Sequence, residues 1–167
     1  MDSKRIILDT TYLLPVFGIE IDKSEEEINQ IKKMWIHGLV GFDLYVSSIS
    51  IIEIVYKLNS MFRNQNRNEI LDRYPLVLGS ILNNPNFHIF YSETDLLASE
   101  MAITIRKMGH NDLLDAWIAG SAYALDGIFL TEERVLLKIL KQISEFKSDL
   151  IWDWTKLQKE LNKKGMK

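Results

Sequence analysis

A single α/β domain with a mostly parallel sheet of about four or five strands and helices on both faces is the fold class the sequence predicts. Three observations lead there. Short apolar runs at residues 5–8, 44–46, 87–91 and 128–130 alternate with longer stretches of helical spacing. Those runs read as strands buried on both sides, which a parallel sheet requires. The chain, 167 residues of which 47% are hydrophobic, is long enough to bury one sizeable core but too short for two ordinary ones.

Taken in order, residues 5–8 enter Asp9-Thr10-Thr11 as a buried strand, and the stretch with Pro15 and Gly18 predicts a short helix. Ser24 before Glu25, Glu26 and Glu27 marks a helix start, and Ile28, Ile31, Met34 and Trp35 hold helical spacing up to Gly38. Residues 44–46 predict a second strand and Ser47-Ser48 a break. Residues 51–58 and 69–82 are helical, ending before Pro85. A third strand over 87–91 leads to a helix that Thr94 caps and that runs to Lys107. The next helix opens at Asn111-Asp112 and stops at Asp126-Gly127. Residues 128–130 predict another strand, Thr131 the cap of a helix through Leu140, residues 143–146 a last edge strand, and the tail an amphipathic helix. This divides the chain into a domain over residues 1–146 and a basic C-terminal helix over 147–167, packed on that domain or extending it.

Composition narrows the chemistry. With no cysteine there is no disulfide and no thiolate metal site, and histidines at 37, 88 and 110 lack zinc-ligand spacing, so any metal is expected to be held by oxygen. No apolar run approaches the roughly 20 residues that span a bilayer, and no signal-peptide pattern opens the chain, so a soluble, cytoplasmic protein is expected. The net charge of −3 argues at first against a polyanionic partner. The balance turns positive once four clustered carboxylates are neutralised, and the tail carries Lys156, Lys159, Lys163, Lys164 and Lys167 against Glu160 alone. Lys156, Lys159, Lys163 and Lys164 are therefore candidate phosphate contacts; a solvated helix face is the plainer account of them.

Four acids stand at element boundaries in apolar or small-residue settings: Asp9, Glu53, Asp115 and Glu133. Each has an ordinary alternative. Asp9 suits an N-cap, and Ser50 with Glu53 three residues on suits a capping box. Asp115 lies one turn after Asp112 on a face with Ala116, Ala119 and Ala122, where an unpaired carboxylate wants a cation; Asp112 itself reads better as a cap than as a ligand. Glu132 and Glu133 after Thr131 both suit the first turn of a helix. On a helix they point about 100° apart, so only one can readily face Asp115 and the other should face solvent. Together the four converge on one edge of the sheet, where their repulsion calls for a cation such as Mg²⁺ or Mn²⁺ that keeps waters and binds phosphates. An aspartyl phosphotransferase with Asp9 as nucleophile is disfavoured, since no second aspartate follows two residues later.

The run from Ile6 to Leu14, containing Asp9-Thr10-Thr11, resembles the opening strand and first acid of PIN domains. So does the later block: Asp115-Ala116-Trp117-Ile118-Ala119-Gly120-Ser121-Ala122, a loop at Asp126-Gly127, a strand, then Thr131-Glu132-Glu133. Glu53, after Ser47-Ser48-Ile49-Ser50, is similar in placement to the family's helix glutamate. The resemblance covers residues 5–146 and implies a metal-dependent endoribonuclease that leaves a 3′-hydroxyl and a 5′-phosphate. It implies Asp9, Glu53 and Asp115 as Mg²⁺ or Mn²⁺ ligands, and Thr10 and Thr131 as supporting hydrogen-bond partners. The family's threonine-x-acid run, which Thr131-Glu132-Glu133 resembles, implies Glu133 as the fourth acid and Glu132 as the solvent-facing other. It also implies RNA as substrate, a homodimer and, in toxin-antitoxin members, an antitoxin protein. Where the family usually has aspartate or asparagine at the fourth position, this chain has Glu133. A catalytically silent PIN-like module that binds RNA or protein is the alternative.

Overall fold

The computed structural model describes residues 3–65 and 68–163. Its strands are β1 (Lys4–Leu8), β2 (Phe42–Ser47), β3 (Phe87–Phe90), β4 (Ile128–Leu130) and β5 (Ile151–Trp152). They form one five-stranded sheet in the order β3-β2-β1-β4-β5, and every neighbouring pair is parallel. Between them run α1 (Glu25–His37), α2 (Ser48–Gln65), α3 (Asn68–Leu82), α4 (Leu96–Lys107), α5 (Leu113–Ala124), α6 (Arg134–Leu140) and α7 (Trp154–Lys163).

The alternation of side chains along each strand divides the core in two. Ile6 and Leu8 share one face with Leu44, Val46, Ile128 and Leu130, covered by Trp35 of α1, Ile54 and Leu58 of α2, Ile81 of α3 and Leu157 and Leu161 of α7. Ile7 faces the other way with Phe129 and Ile151, under Ile105 of α4, Ala116 and Ala119 of α5 and Leu140 of α6. Covering both faces is why Ile6-Ile7-Leu8 of β1 and Ile128-Phe129-Leu130 of β4 read as unbroken apolar runs. Each buried Ile or Leu there contributes roughly 1.5–3 kcal/mol by leaving water. The small residues of α5 bring it against α4 at backbone distance: a Cβ added to Gly120 would stand 2.3 Å from the Ala98 carbonyl oxygen.

Several element starts differ from the expectations in informative ways. The Ser24 capping box forms as expected. Ser47 and Ser48 make no loop, because β2 runs directly into α2; Ser47 Oγ hydrogen-bonds Ser92 Oγ at 2.5 Å and Ser48 Oγ donates to Glu93. Thr94 belongs to a short 3-10 turn, so α4 is capped by Asp95, whose carboxylate accepts from the Ala98 N–H at 2.9 Å. Residues 143–146 form no strand. Ile143 and Phe146 are buried three apart in a turn closed by the Phe146 N–H to the Ile143 carbonyl, and the edge strand arrives later as β5. No described helix is long and apolar enough to cross a membrane.

From β1 the chain builds outward through β2 to β3, then crosses back to set β4 on the other side of β1. The β1/β4 boundary is therefore the point where the winding reverses, and in such sheets the ligand crevice opens there, beyond the carboxyl ends of the strands. Asp9 is the first residue past β1 at that point.

Candidate functional site

The Asp9 backbone N–H still joins the ladder, donating to the Leu130 carbonyl at 3.0 Å, while its carboxylate turns into the interior and is 6% exposed. It makes no side-chain cap to the turn that follows. Instead it accepts the Thr131 hydroxyl at 2.6 Å, and Thr131 Oγ1 in turn accepts the Glu133 N–H at 3.1 Å. That engagement is why Thr131 does not cap α6, a role that falls to Glu133, whose carboxylate accepts the Val135 N–H at 2.9 Å. The Thr10 hydroxyl is buried with no hydrogen-bond partner.

Glu53 lies in the second turn of α2, which begins at Ser48, and Ser50 Oγ is buried without a partner, so no capping box joins the two. Glu53 Oε1 pairs with Lys57 Nζ one turn on at 2.8 Å; Oε2 is buried and unpartnered. On α5, Asp112 caps the helix through the Leu114 and Asp115 N–H groups, at 2.8 and 3.2 Å. Asp115, free of that duty, has Oδ2 3.5 Å from His110 Nε2. His110 is not among the residues the sequence singles out. It precedes the helix that carries Asp115, and only its burial brings it to the acid.

These acids share one electrostatic field. Burial above all pushes the Asp9 carboxyl up to about 7, with the charges of Asp115 and Glu53 adding to the rise against the Thr131 hydrogen bond. Burial also lifts Asp115 to about 7, helped by Asp112, Glu53 and Glu133 and opposed by Lys57. Asp9, Glu53 and Asp115 thus lie within electrostatic reach of one another, while Glu133 reaches Asp115, as does the helix cap Asp112.

Glu132 does not point into solvent. Its Oε1 accepts the Tyr12 hydroxyl at 2.6 Å and the Trp154 N–H at 3.1 Å, and lies 3.0 Å from Lys23 Nζ. The helical-wheel expectation fails because α6 starts at Arg134: Glu133 is its N-cap on extended backbone and Glu132 precedes the cap, so the pair does not share a helical turn.

The basic tail is less free than its charge count suggests. Lys156 Nζ donates to the carbonyls of Asp149 and Ile151, at 3.0 and 3.2 Å, and sits over the Trp152 ring. Lys163 pairs with Glu160 at 2.6 Å. Glu160 is held below the usual carboxylate range chiefly by Lys163, and Lys4 at the start of β1 adds to this. The far end of α7 therefore lies toward the amino edge of the sheet, opposite Asp9. Lys159 is exposed on the same helix, and Lys164 falls outside the described residues.

Among the described residues, no three His, Asp or Glu side chains converge tightly enough to enclose a metal ion. The donor chemistry nevertheless suits a hard divalent cation. The buried Asp9 and the partly buried Asp115 are each pressed by neighbouring carboxylates, and a buried Glu53 oxygen lacks any partner.

Comparison with known proteins identifies the fold and the family. Three solved structures share the fold: one described as DNA-bound VapBC from Salmonella typhimurium, with 18% identity over 91% of this chain and 98% of that one at a TM-score of 0.55; VapBC2 from Rickettsia felis bound to a promoter DNA fragment, 16% identical over 90% and 98% at 0.54; and FitAcB from Neisseria gonorrhoeae, 18% identical over 80% and 91% at 0.54. Among curated proteins, none matches the sequence. The family model described as PIN domain matches residues 6–141, from within β1 to just past α6, and with it the chain belongs to the PIN domain family.

Proposed function

We propose that this protein is a Mg²⁺- or Mn²⁺-dependent endoribonuclease that hydrolyses RNA phosphodiester bonds to leave a 3′-hydroxyl and a 5′-phosphate. One observation carries the reading: Asp9, buried, and Asp115, partly buried, stand among other carboxylates, Asp9 beside the charges of Asp115 and Glu53 and Asp115 beside those of Asp112, Glu53 and Glu133, and each is lifted to about 7. A fold that only needed caps would not confine carboxylates in this way, and such perturbed acids mark functional sites. Asp9, Glu53 and Asp115 would hold the cation, directly or through water, with Glu133 as the fourth acid. When bound, the cation supplies charge neutralisation, polarisation of the phosphate and activation of a water.

The remaining work belongs to the chain's own side chains. Thr131 fixes the Asp9 carboxylate through Oδ2. Lys57 holds one oxygen of Glu53 and leaves the other turned inward. Asp112 keeps the start of α5 in place and so sets the position of Asp115. Beside Glu133 opens a polar cleft of about 510 Å³ whose lining includes Thr11, Lys23 and Arg134, and a strand of RNA would enter there.

The second reading, a catalytically silent module that binds RNA or protein, is favoured by the absence of a closed metal cage among the described residues. A protein partner of antitoxin type and a homodimer belong to the proposal as well, supported by the exposed Val55, Tyr56, Leu71 and Leu76 on α2 and α3. The deciding experiment incubates purified protein with a mixed RNA pool in Mn²⁺, Mg²⁺ or EDTA, beside Asp115→Asn. Cleavage that needs the cation, yields 5′-phosphate ends and is lost in the variant is expected. Binding without cleavage under every condition would favour the silent module.

A further inference from the structure

We infer that His110 is a positioning residue of the acidic site: its Nε2 stands 3.5 Å from Oδ2 of Asp115, poised to donate to it and so to leave the other carboxylate oxygen facing a bound cation. This inference rests on the metal-site reading above. Two things fix the imidazole where it is. The His110 N–H closes the end of α4 on the Ile105 carbonyl at 3.3 Å after Gly109 turns the chain at φ 98°, and Arg106 donates to the His110 carbonyl. The ring itself is 5% exposed, and neither of its nitrogens has a hydrogen-bond partner.

A buried imidazole without partners is a cost that folding normally avoids. Here the polar atom facing Nε2 is Asp115 Oδ2, at 3.5 Å, within ion-pair range and just beyond hydrogen-bond geometry. A small approach of the two completes the bond. The ring then carries its proton on Nε2, one Asp115 oxygen is taken, and the carboxylate has a single orientation to offer. Acidic ligands are commonly held by such an outer hydrogen bond, which fixes the lone pairs that meet the cation. The competing account makes His110 a core filler beneath α5. It explains the burial and leaves the proximity to Asp115 to chance.

The test uses the full chain and Mn²⁺ alone, titrated by calorimetry, with melting curves for every variant. His110→Gln places an amide N–H near the position of Nε2, His110→Asn places one near Nδ1, and His110→Leu keeps bulk without a donor. Expected is a Mn²⁺ affinity within about threefold of the parent for Gln, and a loss of roughly ten- to hundredfold for Asn and Leu, the range for losing an outer partner. A filler would not separate Gln from Asn. If His110→Leu does not fold, the Gln and Asn pair decides alone.

Parent-like affinity in His110→Leu, or equal loss in Gln and Asn, overturns the inference while the nuclease reading stands, provided the parent binds Mn²⁺ and cuts RNA. A parent that binds no Mn²⁺ overturns both.

Discussion

Glu132 and Asp9 sit at the same edge of the sheet, and the fold treats them in opposite ways. Glu132 is partly exposed and well partnered: Tyr12, Lys23 and the Trp154 N–H all converge on its Oε1, tying the turn after β1 to the start of α7. Asp9 is deeply buried with the Thr131 hydroxyl as its side-chain donor, and the charges that press on it are those of other acids, Asp115 and Glu53. Charge density alone therefore does not mark a site. The mark is a carboxylate whose surroundings make its charge expensive when a partner could have been supplied, as one was for Glu132.

The sharpest way to break this contrast is Asp115→Asn. Cleavage should fall by more than roughly a hundredfold, since a ligand matters at least as much as its outer partners. The metal-free protein should melt at the same temperature or slightly higher, because one repelling charge is gone. Unfolding of the variant would make Asp115 a structural residue like Glu132.

Glu132→Ala should do the reverse. Stranding the Tyr12 hydroxyl and Lys23 costs about 2–3 kcal/mol, or roughly 5–10 °C in Tm, while turnover per folded molecule and Mn²⁺ affinity stay near the parent's. In Glu133→Gln the cap survives through the amide oxygen, and Mn²⁺ affinity should drop about tenfold with little change in melting. If the two glutamates gave the same pattern, helix-start electrostatics would explain both.

A smaller effect should appear in pH. Asp9 and Asp115 each titrate near 7 in the folded, metal-free chain and near 3.8 in the ordinary state. Between those values the folded state binds the extra protons. The stability they contribute is fully present below about 4 and is lost as pH rises through 7. Melting temperature without metal should therefore decline from pH 5 to 8, and millimolar Mn²⁺ should flatten or reverse the decline by binding the ionised form. Identical profiles with and without Mn²⁺ would remove the cation from the account.

The smallest effect concerns the cations. Arg134, in the cleft beside Glu133, should lower the salt slope of RNA binding by about one when changed to Gln. Lys159→Gln, on a helix that runs toward the opposite edge, should leave the slope within error. The reverse ranking would restore the basic tail as the RNA contact.

Most of the architecture is legible in the amino acids because two covered faces leave a plain signature: Ile6, Ile7 and Leu8 can be consecutive only where both sides of a strand are buried. Hydroxyls and carboxylates near helix starts are less legible, since each has several local uses. Thr131 and Thr94 both look like caps, yet one serves Asp9 and the other a turn, and the difference comes from residues more than a hundred positions away or from a one-residue shift. Ile143 and Phe146 have the apolarity of a strand but the spacing of a turn. Asp9, Glu53 and Asp115 stand out singly, while their mutual repulsion depends on three elements meeting. His110 escapes notice altogether, because burial is the property that sets it apart from His37 and His88. The tail shows its charge in the sequence but not its direction.

The order β3-β2-β1-β4-β5 puts the first strand in the middle and pairs it with the fourth. Asp9 waits for Thr131, 122 residues downstream, and Tyr12 for Glu132, 120 downstream. On a ribosome adding roughly 5–20 residues each second, the half of the sheet bearing β1, β2 and β3 emerges well before β4 can close over Asp9. The pocket thus cannot assemble on a partly made chain, and long-range pairing of this kind slows folding further. The acidic edge of this topology is therefore completed only after most of the chain has been made.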